Sequence, residues 1–266
     1  MIEQAIDFKE ESEALYGILS ELSETDFSII TAFKDYTIHD VLAHLHLFNQ
    51  AVLASINDSN EFESFAKNLA QVLGNGGSMV ELADQCLKPC TNKVLLEDWR
   101  SLYLELSDKY LNEQPKRRLP WFGPDMSAIS SVSARLMETW AHGQEVYDVL
   151  GIERINTDRI KSIAFLGVNT FAFCYKNRDL QVPEIMPSVK LTAPSGEIWE
   201  WQGNSVDNCV SGLASEFCQV VTQVRSISDT NLTVKGEVAK HWMSVAQCFA
   251  GSAETPPKAG SRKLII

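Results

Sequence analysis

No stretch of the 266-residue chain approaches the roughly 20 uninterrupted apolar residues that a membrane-spanning helix needs. The opening residues, Met-Ile-Glu-Gln-Ala-Ile-Asp-Phe-Lys-Glu-Glu, lack the basic segment that begins a secretory signal, so a cytoplasmic location is expected. Also missing are a Gly-x-Ser-x-Gly elbow, a phosphate-binding P-loop and a dinucleotide fingerprint, which argues against serine-hydrolase, nucleotide and nicotinamide chemistry. The cysteines at 86, 90, 174, 209, 218 and 248 include no Cys-x-x-Cys pair; without an export signal they are expected to be reduced thiols. Basic side chains are in deficit, 23 against 35 acidic, for a net charge of −12. The deficit lies in residues 1–160, with 26 acidic and 13 basic side chains, whereas residues 161–266 carry 9 and 10. Such an acidic first half would repel a phosphate backbone, so no nucleic-acid partner is expected. Lys116-Arg117-Arg118 is the one basic cluster, either a solvated loop or an anchor for an anionic group.

What is present is apolar material with helical spacing. Hydrophobic residues make up 45% of the chain, enough for two cores at this length. Residues 3–22 read as an amphipathic helix carrying Ile6, Leu15, Leu19 and Leu22. Thr37 can cap a second helix that starts at Ile38, with Asp40 in its first turn. A break at 57–60, a short helix over 61–73, a long one over 94–112, a loop to 124 and a helix to Leu150 follow, with Gly151 as the stop. Four long helices starting near residues 3, 38, 94 and 127 predict a bundle. Residues 158–173 read as a further helix. Beyond Pro187 the period changes: 189–193 and 198–201 alternate around Pro194-Ser-Gly196 as a hairpin. Residues 207–224 read as a helix with Val210, Leu213, Phe217 and Val221 on its apolar side. A short strand at 232–234, a last helix over 237–249 and a disordered tail from Pro256 complete the reading.

Histidine is scarce, five in all, and the placement of two of them carries chemistry. At about 100° per residue, Ile38, Val41, Leu42, Leu45, Phe48 and Val52 form one apolar arc of the second helix. His44 lies just beyond its Phe48 edge, while His39 and His46 lie past the other edge, so His44 is favoured as the inward-reaching one. Alone it could equally be a core-edge histidine holding one hydrogen bond. Glu138 and His142 are four apart on one helix, so their side chains share a face and could bind one ion, or form a solvated pair worth a few tenths of a kcal/mol. The apolar arc of that helix, Ile129, Val132, Leu136, Trp140 and Tyr147, lies nearly opposite them, which suits a polar cavity and plain solvent equally. A His/Glu/His set would leave a coordination position open, the arrangement of catalytic rather than structural zinc.

Three segments together, Asp40-Val-Leu-Ala-His-Leu45, Leu119-Pro-Trp-Phe-Gly-Pro-Asp-Met126 and Ala134-Arg-Leu-Met-Glu-Thr-Trp-Ala-His-Gly-Gln-Glu145, resemble the DinB-like metal-binding superfamily. The nearest branch is that of the mycothiol-dependent maleylpyruvate isomerases. The resemblance implies a mainly α protein with a smaller α+β part: a metal-binding four-helix bundle over 1–157, a sterol-carrier-like α+β domain over 158–255, and a tail over 256–266. The second domain is matched through Val189-Lys-Leu-Thr-Ala-Pro-Ser-Gly-Glu-Ile-Trp199 and the last helix. It further implies a divalent metal, usually zinc, on His44, Glu138 and His142, and a low-molecular-weight thiol as cosubstrate.

The function so implied is thiol-dependent transfer or cis-trans isomerisation of a small electrophile. Trp121 and Phe122 would line the substrate site, and Arg135, one turn before Glu138, would either bind a substrate carboxylate or hold Glu138. A metal-dependent hydrolase, with Glu145 as base, is the alternative enzyme. A non-enzymatic binder of small apolar ligands is the third reading.

Overall fold

The structure, a computed structural model, describes residues 1–57, 59–203 and 205–263. The chain falls into two compact units, Met1–Val146 and Tyr147–Ile266. No helix among the described residues is long and apolar enough to cross a membrane.

The first unit is built on four long helices: α1 (Gln4–Ser20), α2 (Ile38–Asn57), α5 (Asn92–Asn112) and α6 (Ala128–Val149), whose last turn is counted with the second unit. Two shorter ones, α3 (Ser59–Gly74) and α4 (Met79–Cys86), fill the span between α2 and α5. The start of α2 is a reciprocal cap, as its sequence predicts. The Thr37 N–H donates to Asp40 Oδ2 at 2.8 Å and the Asp40 N–H donates to Thr37 Oγ1 at 3.1 Å. In α1 the core face is Ala5, Phe8, Leu15 and Leu19; Ile6, expected inside, is exposed. The sequence reading passed over α4, whose cap is a Ser78–Glu81 box just after the Gly76–Gly77 turn. A two-residue ribbon, β1 (Arg118–Leu119) paired with β2 (Met126–Ser127), closes the loop that carries Trp121 and Phe122. α6 is buried on most of its surface rather than on one arc, with Val132, Leu136 and Trp140 joined inside by Arg135, Thr139, His142 and Glu145. The face opposite the apolar arc is therefore largely covered by protein, with Glu138 still partly open to solvent.

The second unit begins with α7 (Lys161–Asn169) and α8 (Phe171–Lys176), not the single helix expected over 158–173. The break falls at Thr170, whose hydroxyl donates back to the Leu166 carbonyl at 2.8 Å. A four-stranded sheet follows in the order β4-β3-β5-β6, from β3 (Pro187–Thr192), β4 (Ile198–Trp201), β5 (Ser205–Leu213) and β6 (Thr233–Lys235). β3 and β4 are the predicted hairpin. β5 overturns the helix read over 207–224: only Ala214–Val221 is helical (α9), and the residues before it pair in parallel with β3. Apolar residues at 210, 213, 217 and 221 mimic a helical stripe, yet Val210 is buried on the strand while Leu213 is 50% exposed. Because β5 lies on the far side of β3 from β4, the chain crosses the start of β3 at Gly203, where a Cβ would stand 2.0 Å from the Met186 carbonyl oxygen. α10 (Glu237–Val245) stops four residues before the predicted end, its Ala246 cap turning extended with ψ 136. The described part of the expected disordered tail is tied down: the Gly260 N–H donates to the Asp229 carboxylate, and Arg262 to the Gln223 carbonyl. Residues 264–266 lie outside the described residues.

Candidate metal centre

α2 and α6 bring His44, Glu138 and His142 together, with one ligand atom from each within 4.8 Å of the others. His142 Nε2 lies 3.3 Å and His44 Nε2 3.8 Å from the same carboxylate oxygen, Glu138 Oε2, and the two imidazole centroids are 4.6 Å apart. Both N···O distances exceed the usual 2.7–3.2 Å of a hydrogen bond. They bracket the separation of about 3.4 Å between ligand atoms of a tetrahedral ion with bonds of about 2.1 Å. His44 Nδ1 is buried with no hydrogen-bond partner among the described residues, so the protein alone does not satisfy this ring. Donor type and spacing therefore fit a divalent ion.

The protonation states agree. Burial, aided by the neighbouring His142, pushes the His44 imidazole down to about 4 against the pull of Glu138. Burial pushes the Glu138 carboxyl up, but the polar N–H groups and charge of the neighbouring His142, His44 and Arg135 outweigh it and hold the group below the ordinary carboxylate range. At neutral pH His44 is then neutral and Glu138 ionised, the forms a metal requires.

Aromatic rings frame the cluster on two sides. Phe33 meets His142 edge-on at 5.0 Å, held there by a turn whose central residues, Lys34 and Asp35, both adopt positive φ of 50° and 59°. Within that turn the Tyr36 N–H donates to the Phe33 carbonyl at 2.8 Å. On the other side Phe48 lies 4.7 Å from His44, Phe122 lies 5.9 Å from Phe48, and Trp121 lies 4.7 Å from Phe122, with Phe62 and Phe65 of α3 packed against the same rings. Trp121 and Phe122, singled out from sequence, thus join the cluster through Phe48. Phe33, Phe62 and Phe65 were not foreseen. Phe33 sits in an irregular turn without periodicity, and Phe62 and Phe65 read as the plain apolar side of a short helix.

Arg135 is 2% exposed; its Nε donates to Asn49 Oδ1 at 3.0 Å and an Nη reaches the Leu45 carbonyl at 3.5 Å, both on α2. Glu145 is 1% exposed. In the basic cluster, Arg117 pairs with Glu113 and caps the end of α2 through the Ile56 carbonyl at 2.8 Å. His39 turns to Asn92. His46 is 6% exposed and bonds Gln50 at 3.0 Å, so it is buried rather than peripheral, yet apart from the cluster. Replacing His46 by Gln should leave metal content, read by atomic emission, at the wild-type level, while costing about 1 kcal/mol in chemical denaturation. Loss of metal in this variant would contradict the ligand set.

Comparison with known proteins matches residues 8–147 to the mycothiol maleylpyruvate isomerase N-terminal domain. Two uncharacterised proteins from strains of Mycobacterium tuberculosis are each 35% identical over 254 residues, 96% of this chain and 96% of theirs. A crystal structure of the mycothiol-dependent maleylpyruvate isomerase is 11% identical, with a TM-score of 0.49 over 82% of this chain and 87% of that one. That of its histidine-to-alanine variant, 12% identical over the same shares, has a TM-score of 0.51 and speaks to the fold alone. With more than half of its length matched, and the motifs around His44, Glu138 and His142 lying inside that match, the chain belongs to the mycothiol maleylpyruvate isomerase N-terminal domain family.

Proposed function

We infer that the protein is an enzyme that uses a divalent metal, zinc, together with a low-molecular-weight thiol to isomerise or S-transfer a small electrophilic substrate. The observation that carries the reading is the triad itself: His44, Glu138 and His142 hold ligand atoms at coordination spacing, with His44 neutral and Glu138 ionised. When bound, a divalent ion supplies positive charge that stabilises a thiolate at neutral pH. The three side chains hold and orient that charge, and three protein ligands leave a position for a further donor. Phe48, Phe122 and Trp121 supply an apolar wall that keeps water from the electrophile. The reaction balances in two ways. A thiolate adds to an activated double bond, the electron pair moving to the activating group; rotation about the new single bond and expulsion of the thiolate give the isomer. In S-transfer the new C–S bond stays, and the carbon takes up a proton or loses its leaving group.

The hydrolytic alternative needs Glu145 as base, and its burial withdraws that carboxylate from a substrate arriving from solvent. The domain limits 1–157 and 158–255, the sterol-carrier-like character of the second domain and a cytoplasmic location belong to the same reading. The deciding assay presents an electrophilic alkene or halide, with and without thiol, to metal-loaded wild type and Glu138→Gln. Thiol-dependent turnover should fall by at least about a hundredfold in the variant. Equal turnover without thiol would place the protein among hydrolases; no turnover with any thiol would make it a binding module.

A further inference from the structure

Arg135 lies inside the bundle, on α6, three residues before Glu138, and both acceptors of its guanidinium lie on α2. One is the carbonyl of Leu45, the residue after His44. The other is the side chain of Asn49, one turn farther along and itself fully buried. A single rigid fork therefore grips two levels of the helix that carries one candidate ligand, from the helix that carries the other two. We propose that Arg135 is the positioning residue of the metal site, a clamp that sets the distance between His44 on α2 and the Glu138–His142 pair on α6. The proposal rests on the metal reading above.

Stability does not account for this arginine. Burying a guanidinium is costly, and an apolar side chain of similar volume commonly serves a helix interface as well or better. What apolar packing cannot supply is direction: α2 can slide or rotate against α6 while keeping most of its contacts, and each such movement carries His44 away from Glu138. Ligand separations of 3.3 and 3.8 Å leave little room for that. One hydrogen bond of 3.0 Å to Asn49 and a longer contact of 3.5 Å to the Leu45 carbonyl, both from one planar group, restrain the rotation and the rise of α2. Asn49 Nδ2 is buried without a partner among the described residues, so the amide oxygen bonded to Arg135 is the end of this side chain that the interface uses.

A purely electrostatic role gives the opposite sign, which makes the idea testable. A cation beside a cation site repels the ion, so charge alone predicts that Arg135→Met binds metal more tightly and Arg135→Lys binds it unchanged. Positioning predicts that both bind it more weakly, because neither keeps the fork. The experiment titrates cobalt(II) into metal-stripped wild type, Arg135→Met, Arg135→Lys and Asn49→Leu, in competition with a chromophoric chelator. Far-UV circular dichroism confirms that each variant is folded. The expected result is a ten- to hundredfold loss of cobalt affinity in all three variants, the range usual for outer-sphere partners of a metal site. The intense visible bands of a four-coordinate ion should weaken alongside. Unchanged or tighter cobalt binding in the folded variants would overturn the clamp while leaving the metal site standing. Absence of cobalt uptake by wild type would overturn the metal reading and the clamp with it. Should Arg135→Met fail to fold, Arg135→Lys and Asn49→Leu decide the matter by the same criterion.

Discussion

Purified without a polyhistidine tag and loaded with zinc, the wild-type protein should hold one ion per chain, and the double variant His44→Ala, His142→Ala should hold about a tenth of an ion or less. The two substitutions remove both nitrogen donors and leave Glu138 alone. A single carboxylate on a protein of net charge −12 binds zinc no better than its many exposed carboxylates do. Neither histidine is a large core side chain, so the fold should persist, with each change costing about 1 kcal/mol. Full metal occupancy in this variant, measured after exhaustive dialysis, would sink the ligand assignment and with it the inferred chemistry.

The second large effect is structural. Gly203→Ala should destabilise the protein by about 3 kcal/mol or more, read as a shift in the chemical denaturation midpoint of the full chain. The new Cβ would meet the Met186 carbonyl oxygen at 2.0 Å and the Pro187 backbone at 2.6 Å, and backbone atoms cannot rotate aside as the end of a long side chain can. Gly17→Ala is the control. It lies in the last turn of α1 with nothing within 4 Å of the added methyl, so it should be stabilising by up to about 1 kcal/mol. If both substitutions behaved alike, the crossing at Gly203 would not be the tight passage described.

How much of this was legible beforehand depended on whether a residue's role is local. The cap at Thr37 and Asp40, the hairpin around Pro194–Gly196 and the long helices come from signals within a few residues, and sequence reveals them. The pairing of His44 with Glu138 and His142 is not local: angular phase favoured His44 on its own helix but left the Glu138–His142 pair open, and only the family's motif order joined the three. β5 escaped because parallel pairing with β3 is a tertiary event, and its apolar residues happen to be spaced like a helical stripe. The surroundings of Arg135 escaped for a related reason: helix phase places it near Glu138, but only the packing of α2 on α6 puts Asn49 and the Leu45 carbonyl in its reach. Phe33 had no pattern to betray it, since its contact with His142 is made from a turn.

That turn has a consequence in terms of local against global preference. Lys34 and Asp35 stand one after the other in the left-handed region, where a side chain costs roughly 1–2 kcal/mol per residue relative to the ordinary basin and glycine costs almost nothing. An isolated peptide of this sequence would spend little time in that shape. The hydrogen bond from the Thr31 N–H to the Tyr36 carbonyl at 2.7 Å, the Ile30–Thr37 bridge and the Phe33 ring against His142 hold it, so the loop is ordered in part from outside itself. His142 and the backbone of a surface loop about a hundred residues away in sequence are thereby linked through the Phe33 ring, and disturbing the imidazole of His142 should be felt as loosening at Lys34.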